Sequence, residues 1–157
     1  MLEKFWPLIV LVIVGVITLA LLIPTGGGGS KSAESGVGLK VGEKQALPGG
    51  LEIEGLAEGD GEFVRKGDTA EVHYTGTLKA DGSMFDSSFT RGAPLTVKLG
   101  AGDVIRGWDE GLPGMRVGDK RKLTIPAAMG YGARSPSAKI PPNSDLVFEV
   151  QLVRKVR

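Results

Sequence analysis

One short stretch of the chain combines a large aromatic side chain with charged residues at helical spacing. It runs from Gly102 to Leu112, and Ile105, Trp108 and Leu112 recur at i, i+3 and i+7, which places them on one face of a helix. A tryptophan on the inner face of a single helix is either a packing residue of the core or the floor of a pocket. The elements around the helix decide between these two interpretations.

Residues suited to covalent catalysis or metal binding are few. The chain has no cysteine, which excludes disulfides, thiolate zinc sites and cysteine nucleophiles. Its one histidine excludes a multi-histidine metal site. His73 with Ser87 or Ser88 would be the base and nucleophile of a hydrolase, but strand alternation places His73 on the face opposite Tyr74. An exposed histidine is therefore the favoured interpretation.

Two further patterns lack the spacing that their chemistry requires. Gly100-Ala101-Gly102 precedes a helix, but the dinucleotide fingerprint needs a third glycine where Ile105 stands and a βαβ unit around it. Asp103, Asp109 and Glu110 do not follow a calcium-loop spacing and are interpreted as a solvated helix face. The formal net charge of +1 gives no indication of nucleic-acid binding.

Aromatic residues from separate segments, together with one carboxylate, form the remaining candidate site. They are Tyr74, Phe85, Asp86, Trp108, Tyr131 and Phe148. An apolar pocket with a single carboxylate and a few hydroxyls or amides suits a small apolar group beside a polarisable carbonyl.

Short runs of alternating apolar and polar residues predict about five strands. They are centred on Leu51–Ile53, Val72–Leu78, Leu95–Leu99, Leu123–Ile125 and Leu146–Leu152. Asp81-Gly82 is a hairpin signal, after which Met84-Phe85-Asp86 resumes extended structure. The predicted fold class is α+β, with a five-stranded antiparallel sheet packed on one short helix.

The N-terminal segment differs in composition from the rest of the chain. Residues 5–23 are almost entirely apolar, close to the length of about 20 that spans a bilayer, with Lys4 and Trp6 as flanking residues. The favoured prediction is one retained transmembrane helix, and a cleaved signal peptide is the alternative. The predicted organisation is an anchor over 1–25, a flexible Gly/Ser-rich linker over 26–50 and a folded domain over 51–157.

From about residue 51 to the end, the chain resembles the FKBP-type peptidyl-prolyl cis-trans isomerases, the family that binds the macrolides tacrolimus and rapamycin. Each matching string is weak alone, but together and in this order they are specific. The strings are Val72-His73-Tyr74-Thr75-Gly76, Phe85-Asp86-Ser87-Ser88, Val104-Ile105-Arg106-Gly107-Trp108, Tyr131-Gly132, Ile140-Pro141-Pro142-Asn143 and Leu146-Val147-Phe148.

The resemblance implies a half-barrel whose sheet curls around the helix, with Trp108 as the pocket floor. It implies that Asp86 and the Tyr131 hydroxyl are polar contacts and that the Ile105 N–H donates to a ligand carbonyl. Leu95, Asp103 and Pro136 depart from common family residues at the rim. The implied catalytic set is Tyr74, Phe85, Asp86, Ile105, Trp108, Tyr131 and Phe148, and the implied substrate-binding set is Leu95, Asp103, Val104 and Ile140.

The expected activity is therefore prolyl isomerisation by non-covalent catalysis, without a metal or cofactor. The expected partners are proline-containing polypeptides, tacrolimus- or rapamycin-type macrolides, and a membrane through the N-terminal helix, with no nucleic acid and a monomeric state. The domain is expected outside the cytoplasm, or secreted if the N-terminal segment is cleaved. A non-catalytic peptide-binding or chaperone module on the same fold is the alternative.

Overall fold

Alternation of apolar and polar residues builds one antiparallel sheet that carries two short helices. The computed structural model describes residues 38–156. The strands are β1 (Lys44–Ala46), β2 (Glu52–Ala57), β3 (Thr69–Leu78), β4 (Met84–Ser87), β5 (Leu95–Lys98), β6 (Lys120–Ile125) and β7 (Leu146–Val156). The helices are α1 (Ser88–Arg91) and α2 (Arg106–Gly111), and one-turn 3-10 helices lie at Pro48–Gly50 and Ala127–Met129.

The two longest strands form the centre of the sheet. The strand order is β1-β2-β6-β7-β3-β4, and β5 also pairs with β3. β3 and β7 are paired from Thr69 opposite Val156 to Leu78 opposite Leu146. Every second residue of β3 is buried, so Tyr74 lies on the inner face as predicted. The α+β class and the antiparallel sheet on one main helix are confirmed.

The sheet has seven strands rather than about five, because β1 and β4 carry no long alternating pattern. β1 lies within the predicted linker and forms by pairing with β2. Leu39 is buried nearby, and a side chain at Gly55 would lie 2.3 Å from the carbonyl oxygen of Lys40. Ordered structure therefore begins upstream of residue 51, the predicted domain boundary.

The predicted anchor and the first part of the predicted linker lie outside the described residues. Within 38–156, no helix combines the length and the apolar composition needed to cross a membrane.

Helix α2 rests on β6 through two glycines. A Cβ atom on Gly107 would lie 2.6 Å from side-chain carbons of Ile125, and one on Gly111 would lie 2.5 Å from Leu123. No larger residue fits at this separation unless these side chains or the helix itself shift. The glycines therefore set how deep the helix, and with it Trp108, lies against the sheet.

A buried arginine fixes the end of the same helix. Arg121 is 3% exposed, and its Nη1 donates to the carbonyl oxygens of Gly111 at 2.5 Å and Pro113 at 3.4 Å. Burial lowers the pKa of Arg121 to about 10, and the charge of nearby Asp119 opposes this shift. The side chain remains protonated at neutral pH and lies at the negative end of the helix dipole.

Helix α2 is shorter than the predicted stretch from Gly102 to Leu112, because a loop occupies the first part. Gly102 has a positive φ of 78°, a conformation that favours glycine. The carboxylate of Asp109 accepts hydrogen bonds from the backbone N–H groups of Gly100 at 2.8 Å and Gly102 at 2.9 Å. Asp109 therefore holds this loop and is not simply part of a solvated face.

Replacing Gly107 by alanine tests the contact between α2 and β6. Alanine favours a helix over glycine by about 1 kcal/mol, but here the added Cβ would overlap Ile125. We expect G107A to lower the free energy of unfolding by about 1–3 kcal/mol, the usual cost of overpacking, as measured by urea denaturation. In an I125A background, the same change should cost less. A G107A protein as stable as the wild type would contradict this packing.

Candidate active site

A cavity of about 300 Å³ opens on the inner face of the sheet, large enough for one small ring and its neighbouring atoms. Strands β3, β4, β5 and β7, helix α2 and the loops around it contribute to its wall. The lining residues are Tyr74, Phe85, Asp86, Leu95, Val104, Ile105, Trp108, Tyr131, Pro136, Ser137, Ile140 and Phe148.

Aromatic rings packed edge to face form the floor and one wall. The centroid of the Trp108 ring lies 5.0 Å from the centroid of the Tyr74 ring and 5.3 Å from that of the Phe148 ring, at interplanar angles of 82° and 85°. Phe85 meets Phe148 in the same way at 5.5 Å. A Cβ atom on Gly76 would lie 2.6 Å from Phe85 and 2.8 Å from Phe148. Glycine is required at this position because the two rings fill the space above it.

The indole N–H of Trp108 is buried and has no hydrogen-bond partner among the described residues. A buried donor without an acceptor costs about 1–3 kcal/mol relative to a satisfied one. Trp108 is 3% exposed and also lines the cavity, so it is both a core residue and the pocket floor.

The carboxylate at the cavity is held by two partners. The Tyr74 hydroxyl donates to Asp86 Oδ2 at 2.5 Å, and Arg91 Nη1 donates to Asp86 Oδ1 at 2.6 Å. Burial raises the pKa of Asp86, but the hydrogen bonds from Tyr74 and Arg91 outweigh it and hold the pKa below its usual value. Asp86 is therefore ionised at neutral pH, with each oxygen bound.

Arg91 joins both members of this pair and was not predicted from the sequence. Its Nη2 donates to the Tyr74 hydroxyl at 2.6 Å, and its guanidinium lies 5.4 Å from the centroid of the Tyr74 ring. Arg91 is the last residue of α1, whose single turn starts at the N-cap Ser87 and ends at Gly92 with a φ of 67°. No apolar periodicity marks a helix this short, so the contact could not be predicted from the residue pattern.

His73 and Ser88 do meet, but not as a catalytic pair. His73 Nδ1 lies 2.9 Å from Ser88 Oγ, and the His73 ring stacks on Phe89 at 4.6 Å. Ser88 is fully buried, and its hydroxyl accepts the Tyr74 N–H at 2.8 Å. Ser88 ties α1 to β3, and no substrate can reach its oxygen in this arrangement.

The structure brings together all of the predicted site residues except Asp103. Asp103 is exposed and does not line the cavity, because it follows the turn at Gly102. Ser137 lines the cavity and was missed, since nothing in its sequence context distinguishes it from other loop serines.

Asp86 acts on Tyr131 through its charge, while its hydrogen bonds go to Tyr74 and Arg91.

Ile105 is the N-cap of α2 and a lining residue. N–H groups at the start of a helix have no acceptor within that helix.

Within residues 38–156, no cluster of three or more histidine or acidic side chains is arranged to hold a metal ion.

The fold and the site define a protein with an aromatic-floored apolar cavity that carries one carboxylate at its edge. The sequence profile of the FKBP-type peptidyl-prolyl cis-trans isomerase family matches residues 60–153. An FK506-binding protein of Neisseria meningitidis serogroup B is 56% identical over 106 residues, which cover 68% of this chain and 96% of that protein. The peptidyl-prolyl cis-trans isomerase FPR2 of Saccharomyces cerevisiae is 55% identical over 87 residues, covering 55% of this chain and 64% of FPR2.

Solved structures agree with this assignment. The crystal structure of AtFKBP13 superposes with a TM-score of 0.67 at 39% identity, covering 73% of this chain and 99% of that one. FkpA from Escherichia coli gives a TM-score of 0.64 at 43% identity, covering 71% of this chain and 51% of FkpA. The chain belongs to the FKBP-type peptidyl-prolyl cis-trans isomerase family and is an isomerase of that type.

The chain contains two tyrosines, Tyr74 and Tyr131, so its phenol titration reports on this site alone. Burial raises the pKa of Tyr74, as does its hydrogen bond to Asp86, while Arg91 opposes the shift. Burial and the charge of Asp86 raise the pKa of Tyr131. We expect both phenols of the native chain to ionise above the usual value of about 10, as followed by phenolate absorbance.

The same shifts fix the sign of a stability effect. The folded state favours neutral phenols, because their pKa values are raised on folding. Their contribution to the free energy of unfolding is therefore complete below the pKa of the unfolded chain, and it is lost as the pH rises through the pKa of the folded chain. The D86N variant should ionise its tyrosines at lower pH than the wild type. Native and urea-unfolded chains that titrate together would contradict the placement of both phenols.

Proposed function

We propose that the aromatic cavity binds the proline ring of a substrate and that its lining residues catalyse rotation about the preceding peptide bond. In this proposal, the ring lies on Trp108, between Tyr74, Phe85 and Phe148. The edge-to-face packing of these side chains supports it, because it leaves a preformed apolar space of about 300 Å³ that needs no rearrangement to receive a five-membered ring.

Catalysis then requires the twisted amide to bind better than the planar one. Rotation faces a barrier of about 18–20 kcal/mol, because the planar bond is stabilised by resonance. The planar amide is also the more polar form, so an apolar cavity disfavours it relative to the twisted form. Lowering the barrier by about 7 kcal/mol accelerates rotation by roughly five powers of ten. No bond is broken in this scheme, so it needs no nucleophile, metal or cofactor.

Polar groups at the cavity would hold the substrate carbonyls while the bond turns. We assign the Ile105 N–H as a donor to a carbonyl outside the rotating bond. Tyr131 would donate its hydroxyl to substrate, since Asp86 reaches it only through charge. Asp86 would act through its electrostatic field and by orienting Tyr74, which is a preorganised arrangement of the kind that stabilises transition states. Leu95, Val104 and Ile140 would contact the residues beside proline.

We expect D86N to lower kcat/KM for a short proline peptide by at least about tenfold. The variant removes the negative charge but keeps the size of the side chain, and the exposed ends of Asp86 and Arg91 let the fold tolerate it. Cis-to-trans relaxation of the peptide measures the rate, and urea unfolding checks stability. D103N serves as the matched control and should retain the wild-type rate. Full activity of D86N would contradict its assigned role.

The same cavity is proposed to bind macrolides of the FK506 class. Relatives that are 56% identical carry the name FK506-binding protein, and a ring with adjacent carbonyls would occupy the space assigned to proline. Such a ligand should inhibit the isomerase competitively, and D86N should weaken its binding.

We further propose that residues 1–25 anchor the protein in a membrane as a single helix, with the isomerase domain as a monomer outside the cytoplasm. The apolar run over residues 5–23 supports the anchor through its length. If the proposal holds, the native chain will stay with the membrane fraction after alkaline extraction, and mass spectrometry will find its N-terminal segment intact. A soluble, shortened chain would favour the cleaved signal peptide instead.

A further inference from the structure

The loop on one side of the cavity carries two cations without partners. Residues 131–144 contain Arg134 and Lys139 and no acidic residue. Both side chains are exposed, and neither forms an ion pair or a side-chain hydrogen bond within residues 38–156. This part of the rim therefore carries an uncompensated positive charge.

Most other charged residues beside the cavity are already engaged, and the exception is Asp103, which directly precedes the lining residue Val104 and is exposed. Asp86 binds Arg91 at 2.6 Å, and Arg106 binds Glu110 at 2.7 Å. The carboxylate of Asp109 accepts two backbone N–H groups. One free carboxylate at Asp103 stands against the two cations of the loop, so it offsets part of the positive potential of the loop and does not cancel it.

Hydrogen bonds hold the loop in one shape. The Ser135 hydroxyl lies 3.0 Å from the carbonyl oxygen of Ser137 and 2.8 Å from that of Ile140, and the Ile140 N–H donates to Ser137 at 3.0 Å. Arg134 and Lys139 are the chain neighbours of Ser135 and Ile140, so this bond joins the two segments of the loop that carry the cations.

Residues that line the cavity stand between the two cations in the sequence, and another follows directly after them. Pro136 and Ser137 line the cavity, as does Ile140 directly after Lys139. A polypeptide whose proline lies on the floor must pass its flanking residues across this rim. The loop thus presents two cations, on a fixed backbone, next to the path of the substrate.

We propose that Arg134 and Lys139 make this isomerase select prolines flanked by an acidic residue. The inference rests on the proposed use of the cavity for proline and adds the substrate class. A charge outside the rotating bond is attracted equally in the planar and twisted states, so it acts on binding and KM rather than on kcat.

The expected size of the preference for acidic residues follows from the strength of ion pairs that are exposed to water. Such pairs contribute little each and are screened by salt, so two cations should favour Glu over Lys about three- to tenfold in kcat/KM at low ionic strength. Raising the salt to about 1 M, where the screening length falls to about 3 Å, should remove most of the preference.

The test uses the full-length chain and matched peptides with Glu, Gln or Lys, placed immediately before proline in one series and immediately after it in another. We expect kcat/KM to fall from Glu through Gln to Lys in at least one series, through KM. The R134Q/K139Q variant should lose this order and keep the wild-type rate on the Gln peptide. The R134E/K139E variant should reverse the order.

Lys40 and Lys122 provide a matched control. Lys122 lies on β6, the carbonyl of Lys40 lies beside Gly55 of β2, and both lysines also lack ion pairs among the described residues. K40Q/K122Q changes the net charge equally and should leave the preference intact. Equal rates on all three peptides in both series would overturn the inference, as would a loop variant that slows all peptides alike. If the wild type does not isomerise the Gln peptide, the proposed use of the cavity fails instead.

Discussion

The contact of helix α2 with strand β6 determines the geometry of the site. Trp108 is the pocket floor, and its depth is set by how closely Gly107 and Gly111 let the helix approach Ile125 and Leu123. Contacts this close transmit any change in side-chain volume directly to the helix, because protein interiors are packed as densely as organic crystals. The catalytic surface therefore depends on two positions that have no side chain.

Arg121 completes this arrangement at a cost. Burying a guanidinium is unfavourable unless its donors find acceptors, and here those acceptors are the carbonyl groups of Gly111 and Pro113, just where α2 ends. The last carbonyls of a helix also need donors. The two requirements are met together, and the result fixes the end of a six-residue helix that would be unstable alone.

The sequence predicted the parts of the site that depend on local periodicity. The alternation along β3 placed Tyr74 inward, and the helical spacing placed Trp108 on the inner face of α2. Arg91 could not be found this way, because it reaches Asp86 only through the single turn of α1. The place of Asp103 could not be found from the pattern either. The loop turns at Gly102, which has a positive φ, and the residue after it is exposed and does not line the cavity.

Strand β1 shows a second limit of prediction from pattern. Its three residues are all exposed, so they carry no apolar signal, and the strand exists because β2 offers a free edge beside Gly55. Edge pairing depends on backbone groups that every residue possesses, so composition alone assigns such a segment to a linker.

The charges around the cavity divide into two kinds with different consequences for catalysis. Asp86 and Arg91 form a pair at 2.6 Å whose charges cancel at a distance but leave a local field beside the cavity, where we propose that the peptide bond rotates. An amide is neutral in both its planar and twisted states, so what distinguishes those states is the change in its dipole, to which a fixed local field responds. A free cation on the rim would instead attract an acidic residue of the substrate equally in both states. Paired charges next to an apolar floor therefore suit the acceleration of rotation, and unpaired charges beyond the cavity suit the choice of substrate.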